Sequence, residues 1–215
     1  VQSSQGLLLQ LHGLGVSVWG LFQGWPAQNN QRLYDTAGIA SLARTAMETF
    51  VTFHHVFVDP KDDPELFEVR YMLWELAGWM QFLEDTLGER IGHQPSIQAR
   101  SVVERKFLEF RPRINDFLSR NGRKPKQIEQ ILRRGDWKLG KRRNYAYERA
   151  GLGRVLSGRS YAHFSSYLHA DSHAAQQTVL LREHPDNWPV IAGLATRTLA
   201  VCMSKAVLGI AELAP

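Results

Sequence analysis

Cysteine is almost missing from this 215-residue chain, which holds only Cys202. A single thiol excludes any intramolecular disulfide. Its setting in the apolar run 199–203 reads as a small buried hydrophobe in a protein of the reducing cytoplasm. Charge is missing from the start of the chain, where no Asp, Glu, Lys or Arg precedes Arg32. The apolar stretch 7–22 lacks the basic flank of a signal peptide. It is interrupted by Gln10, His12 and Ser17, contains Gly13, Gly15 and Gly20, and is shorter than the roughly 20 apolar residues of a spanning helix. It is expected to be a buried first helix. The run 190–213 is long enough to span a bilayer, but Arg197 and Lys205 within it would be costly there. A core helix is expected and no membrane partner. Strand signals are scarce too: period-two alternation is not sustained, and no Asn-Gly or Asp-Gly turn joins two β-branched runs.

The remaining signals are helical. With 44% hydrophobic residues the chain can bury a sizeable core. The spacing of Ile39, Leu42, Ala43, Ala46, Phe50, Phe53 and Phe57 predicts an amphipathic helix over 35–58. Asp63 before Pro64 and Glu65 supplies an N-cap, a first-turn proline and a first-turn acid for the next helix. In that helix Leu66, Val69, Leu73, Leu76, Met80, Leu83 and Leu87 alternate steps of three and four, as in a bundle. Ser96 is the expected cap of a further helix, and Pro112 is expected to kink or break it. Helical character returns at 145–156 and 160–181, and Asp186 to Pro189 opens the last helix. The fold class is therefore all-α: an up-and-down bundle of about six to eight helices in one domain, 1–215. A basic, partly irregular and mobile insertion occupies 119–144. Met47, Phe50 and the six tryptophans are expected in the core. Val1 in place of a methionine leaves room for an upstream partner domain.

The net charge of +5 hides an asymmetry. Residues 100–143 hold 15 Lys and Arg against five Asp and Glu, so the rest of the chain is net −5. Such a bias is how an anion-binding patch is usually built, and it is also how a solvated face can look. The candidate contacts to nucleic acid are Arg123, Lys124, Lys126, Arg133, Arg134, Lys138, Lys141, Arg142 and Arg143. Aromatic residues among them are few, so single-strand base stacking is not indicated.

Tyr161, Ser165, His169 and His173 stand four apart and would form one row on a helix. Arg44 and Glu48 are also four apart. They read either as an exposed ion pair or as groups facing His169 inside the bundle. A histidine near neutrality beside polar partners suits acid–base work. His169 and His173 at i and i+4 are the only metal-ligand candidates, and two ligands fall short of a site unless another helix adds one such as Glu48. Neither a metal nor another cofactor is expected.

The segment 40–50, Ala-Ser-Leu-Ala-Arg44-Thr-Ala-Met-Glu48-Thr-Phe, together with Tyr161-x-x-x-Ser165-x-x-x-His169, resembles the signature of a bacterial family known as domain of unknown function 5677. The resemblance implies a helical bundle related to the HEPN-like proteins, many of which act on RNA in toxin and antiviral systems. It carries over Arg44, Glu48, Tyr161, Ser165 and His169 as the matched positions of a candidate catalytic pocket. The usual HEPN spacing of Arg, four to six residues, then His is not met here: Arg159 stands too close to His163 and too far from His169. The leading expectation is a cytoplasmic HEPN-like protein that engages RNA or another polyanion, with any catalysis centred on His169. The alternatives are a non-enzymatic interaction module that pairs with another copy or an upstream domain, and a metal or small-ligand bundle.

Overall fold

The computed structural model describes residues 2–26, 32–87, 94–141, 143–168, 175–176, 179–180 and 183–213. The described residues hold eight α-helices and one two-stranded ribbon of two residues per strand, so the fold is all-α. Contacts divide the chain into two compact units, Val1–Val58 with Asn144–Pro215, and Asp59–Arg143.

The first unit begins with α1 (Gln2–Phe22). Leu11 and Val18, seven apart, are buried, whereas Leu9, Val16 and Trp19 point outward. The expected buried helix is therefore buried along one face only. After α1 the chain turns back through β1 (Trp25–Pro26) and β2 (Arg32–Leu33), with Trp25 opposite Leu33. The Arg32 guanidinium donates to the carbonyls of Gln23 and Gly24. Gly24 holds a φ of +69°, and a Cβ there would lie 2.6 Å from the Tyr34 ring, so only glycine fits this turn.

Helix α2 (Thr36–Phe53) is capped by Asp35, whose carboxylate accepts from the Gly38 N–H at 2.7 Å. It packs against α1, against α7 (Tyr161–Leu168) and against α8 (Trp188–Leu213). Its inward side chains Ile39, Ala43, Met47, Phe50 and Phe53 are buried, each large one contributing about 1.5–3 kcal/mol. Helix α8 faces them with Ala192, Ala195, Leu199, Cys202 and Ala206 at steps of three and four. By length and composition α8 is, among the described residues, the one helix that could cross a membrane. Trp188 at its start donates from Nε1 to the Phe22 carbonyl at 2.7 Å and stacks on Tyr34. Trp188 is buried as expected, but Trp19 and Trp25 are exposed and lie outside the core.

The second unit is built on α3 (Pro64–Leu87), α4 (Gln94–Arg120) and α5 (Pro125–Arg134). Asp63 caps α3 through the Leu66 N–H at 2.9 Å. Helix α4 begins before Ser96, which is therefore not its cap, and Pro112 does not break it. A proline at 112 removes the bond to the Leu108 carbonyl. Leu108 and Pro112 both lie on the exposed side, where water can take that carbonyl. The core joins Val69, Met72 and Leu73 of α3, Phe110, Ile114, Phe117 and Leu118 of α4, and Ile128, Ile131 and Leu132 of α5. The segment 119–144, expected to be a mobile insertion, is thus partly anchored: three apolar side chains of α5 are core residues.

Candidate functional site

Three of the five matched positions come together within the first unit. Arg44 and Glu48 stand one turn apart on α2, and Tyr161 opens α7, which packs alongside. Glu48 Oε1 accepts from the Tyr161 hydroxyl at 2.8 Å and from Arg44 Nε at 3.2 Å. The Arg44 guanidinium also lies over the Tyr161 ring, 4.9 Å from its centroid. The Tyr147 ring of α6 (Arg143–Arg149) meets Tyr161 edge-on at 5.9 Å. Ser165 points its hydroxyl back to the Tyr161 carbonyl at 2.8 Å, a local bond within α7. His169 and His173 lie outside the described residues. Among the described residues no group of three or more His, Cys, Asp or Glu could hold a metal ion.

Exposure decides what this cluster can do. The Arg44 side chain is 24% exposed and that of Glu48 48% exposed, whereas Tyr161 is buried. Partial burial pulls the Arg44 pKa down, but the Glu48 charge and the hydrogen bonds to Glu48 and Tyr161 outweigh it and leave the guanidinium above its ordinary value. The arginine is therefore fully charged and its charge is matched by Glu48. A guanidinium and carboxylate balanced in this way do not attract a polyanion. The phenol is occupied as a donor, so the trio acts first as a clamp of α7 onto α2.

Family models, curated proteins and solved structures yield no match to this chain. Its chemistry is read from its own side chains.

Two π-helical turns flank the clamp, and nothing in the sequence pattern announces them. Helix α2 runs into His54–Val58, and Val155–Ser160 leads into α7. A π-turn takes in an extra residue and rotates the helix beyond it, and such turns often sit beside functional positions. The first one contains His55, which is buried in the core edge-on to Tyr145. Apolar periodicity cannot reveal this, because a single wide turn leaves the pattern on either side intact.

The basic candidates belong to the second unit. Their exposure follows from α5: with Ile128, Ile131 and Leu132 in the core, Lys126, Arg133 and Arg134 face outward. Lys124 precedes the helix, exposed, with its N–H donating to Gln127 Oε1 at 3.0 Å. Lys141 is also exposed. Two candidates serve the fold instead. Arg123 donates to the Leu139 carbonyl at 2.8 Å, and the Lys138 ammonium lies over the Trp137 ring at 4.9 Å. Arg142 and the side chain of Arg143 are outside the described set. Upstream, cations that inflate the local balance are paired across α3 and α4: Lys106 with Glu75 at 2.6 Å, Arg113 with Glu68, and Arg120 with Glu65. Lys106, Arg113 and Arg120 are seven apart, so they descend one side of α4 and meet carboxylates ascending α3.

Proposed function

We propose that this chain is a HEPN-like helical protein that binds RNA through the outward face of α5 and its flanks, with Lys124, Lys126, Arg133, Arg134 and Lys141 as phosphate contacts. The carrying observation is the orientation of α5, whose buried apolar face leaves its cations on the solvent side. The α3–α4 ion pairs support it by matching Lys106, Arg113 and Arg120 of the upstream stretch with carboxylates. Five exposed cations lie within 124–141, and Arg100, Arg105, Arg154, Arg159 and Arg197 are exposed elsewhere along the chain. The resemblance to a family related to RNA-acting helical proteins agrees with this partner. Phosphate contacts of this kind give electrostatic, weakly sequence-dependent binding.

Fluorescence anisotropy with a generic RNA over a salt series tests the reading. Affinity should fall steeply between about 50 and 200 mM salt, with a log–log slope of roughly 0.7–0.9 per phosphate neutralised. Replacing Lys126, Arg133, Arg134 and Lys141 by Gln should flatten that slope by about three and weaken binding at low salt at least tenfold. Absence of binding at low salt, or a fourfold variant that binds as tightly as the parent, removes the proposal.

A second reading, as an interaction module, is favoured by a different observation. Leu9, Val16 and Trp19 of α1 are exposed.

A further inference from the structure

Helix α1 has two faces, and only one of them is explained by the fold. On the inner face Leu11 and Val18 are buried, and a Cβ at Gly15 would lie 3.2 Å from Met203 Sδ, so that glycine makes room for α8. On the outer face Leu9 is 72%, Val16 61% and Trp19 59% exposed. Large apolar side chains left in water along one helix mark a surface that something covers.

Gly6, Gly13 and Gly20 run down the same outer face, seven residues apart. A Cβ on any of them would meet nothing within 4 Å, and none has a positive φ. Neither packing within the chain nor backbone conformation therefore calls for glycine at these places. Glycine nonetheless weakens an exposed helix relative to alanine. Leu9 and Val16 flank this flat lane on one side and the exposed Gln10 and Ser17 on the other; such a lane lets a second backbone approach closely, and a seven-residue repeat keeps one face toward a helical partner. A lipid surface has no use for such a lane.

The same face names its occupant. It carries no charge, since none precedes Arg32, so a charged partner surface would be desolvated against it without compensation. The row is also nearly symmetric about Gly13. Gly6 and Gly20 stand seven residues to either side, with Leu9 four before and Val16 three after. A self-complementary, uncharged face is what an isologous two-fold contact requires. We propose that the outer face of α1 pairs with the outer face of α1 in a second copy, antiparallel, with the two-fold axis passing near Gly13. A 21-residue helix is about 31 Å long, and a strip about one helix wide buries a few hundred Å² per copy, the lower end for specific interfaces. The dimer is accordingly concentration-dependent, with a dissociation constant in the micromolar range. The pairing involves the first unit alone and is independent of RNA binding.

Analytical ultracentrifugation of the full chain from about 1 to 500 μM tests it, with mass expected to rise from monomer to dimer. Gly13→Leu should raise the dissociation constant at least tenfold while leaving the thermal midpoint unchanged or higher, because the added side chain meets open space and favours the helix. Leu9→Gln with Val16→Gln should weaken the dimer in the same direction. Oxidation should crosslink Gly13→Cys with itself. A mixture of Gly6→Cys and Gly20→Cys should give the mixed disulfide, and Gly6→Cys alone should not, with buried Cys202 a bystander. A monomer over the whole range overturns the proposal, as does a dimer that both variants leave intact. Self-crosslinking of Gly6→Cys overturns the antiparallel arrangement. Sedimentation with phosphatidylcholine vesicles by a chain that stays monomeric in solution assigns the face to lipid instead and overturns it too.

Discussion

The phenol of Tyr161 gives up water for a carboxylate on another helix, and its ring lies beneath a guanidinium on that same helix. Tyr161→Phe keeps the ring and loses the O–H. With Glu48 half exposed, water replaces part of the bond, so the expected loss is about 1 kcal/mol, seen as a thermal midpoint lower by roughly 2–4 °C. A change smaller than about 0.3 kcal/mol would mean that the clamp holds through ring contacts alone. Cys202 gives stability a pH dependence of its own. Burial pushes its thiol up to about 12 from 9.0. The folded chain then keeps a proton that the unfolded chain loses, so this thiol's contribution is complete below pH 9 and declines as pH rises toward 12. Native protein at pH 8 should resist a thiol reagent that labels the denatured chain promptly, and prompt native labelling would contradict the burial. Spacing along each helix identifies Arg44, Glu48 and Tyr161 as members of rows. It cannot say that α7 lies on α2, because periodicity along one helix contains no information about its neighbour. Arg123 and Lys138 show the opposite case: they are cations whose roles are set by a carbonyl and a tryptophan brought near by folding.

Capping chemistry is the most legible level of the helices. Asp35 and Asp63 are readable as caps because a short acceptor before an apolar-periodic run has one local use. Pro112 departs from expectation for a related reason: the rule against proline presumes that the lost carbonyl bond has no substitute, and an exposed face supplies water. Helix α5 is only partly legible, as a short helical patch at Gln127–Leu132, because just three of its residues carry the apolar face. Its end is fixed by Gly135, with φ of +55° and the position of a Cβ 2.7 Å from the Ala77 Cα. The Asp136 carboxylate then accepts from the N–H groups of Lys138 and Gly140 at 3.1 and 2.9 Å. Gly135→Ala combines an unfavourable backbone with a clash against the α3 main chain, and should cost about 2 kcal/mol or more. Denaturant unfolding measures it, and a loss under about 0.5 kcal/mol would show that α3 and α5 separate easily at this point.

At the scale of the molecule, charge and exposed apolar surface are segregated. Asp59–Arg143 contains 18 Lys and Arg and 14 Asp and Glu, with the acids concentrated before residue 100 and the bases after it. Folding α3 against α4 cancels much of that opposition within the unit, which a running charge count cannot anticipate. Among the described residues, the exposed large hydrophobics other than Phe82 and Leu108 belong to Val1–Val58 and Asn144–Pro215. The all-α class is legible from period alone, whereas the grouping of helices depends on contacts between distant segments. That grouping bears on synthesis. Asp59–Arg143 is one continuous stretch and can close as soon as it leaves the ribosome. Helices α1 and α2 must wait for α7 and α8, and at roughly 5–20 residues per second the delay before α8 is on the order of ten seconds. For that interval α1 and α2 have only each other, so the apolar side chains that later meet α7 and α8 are presented to whatever chaperone attends the exit tunnel.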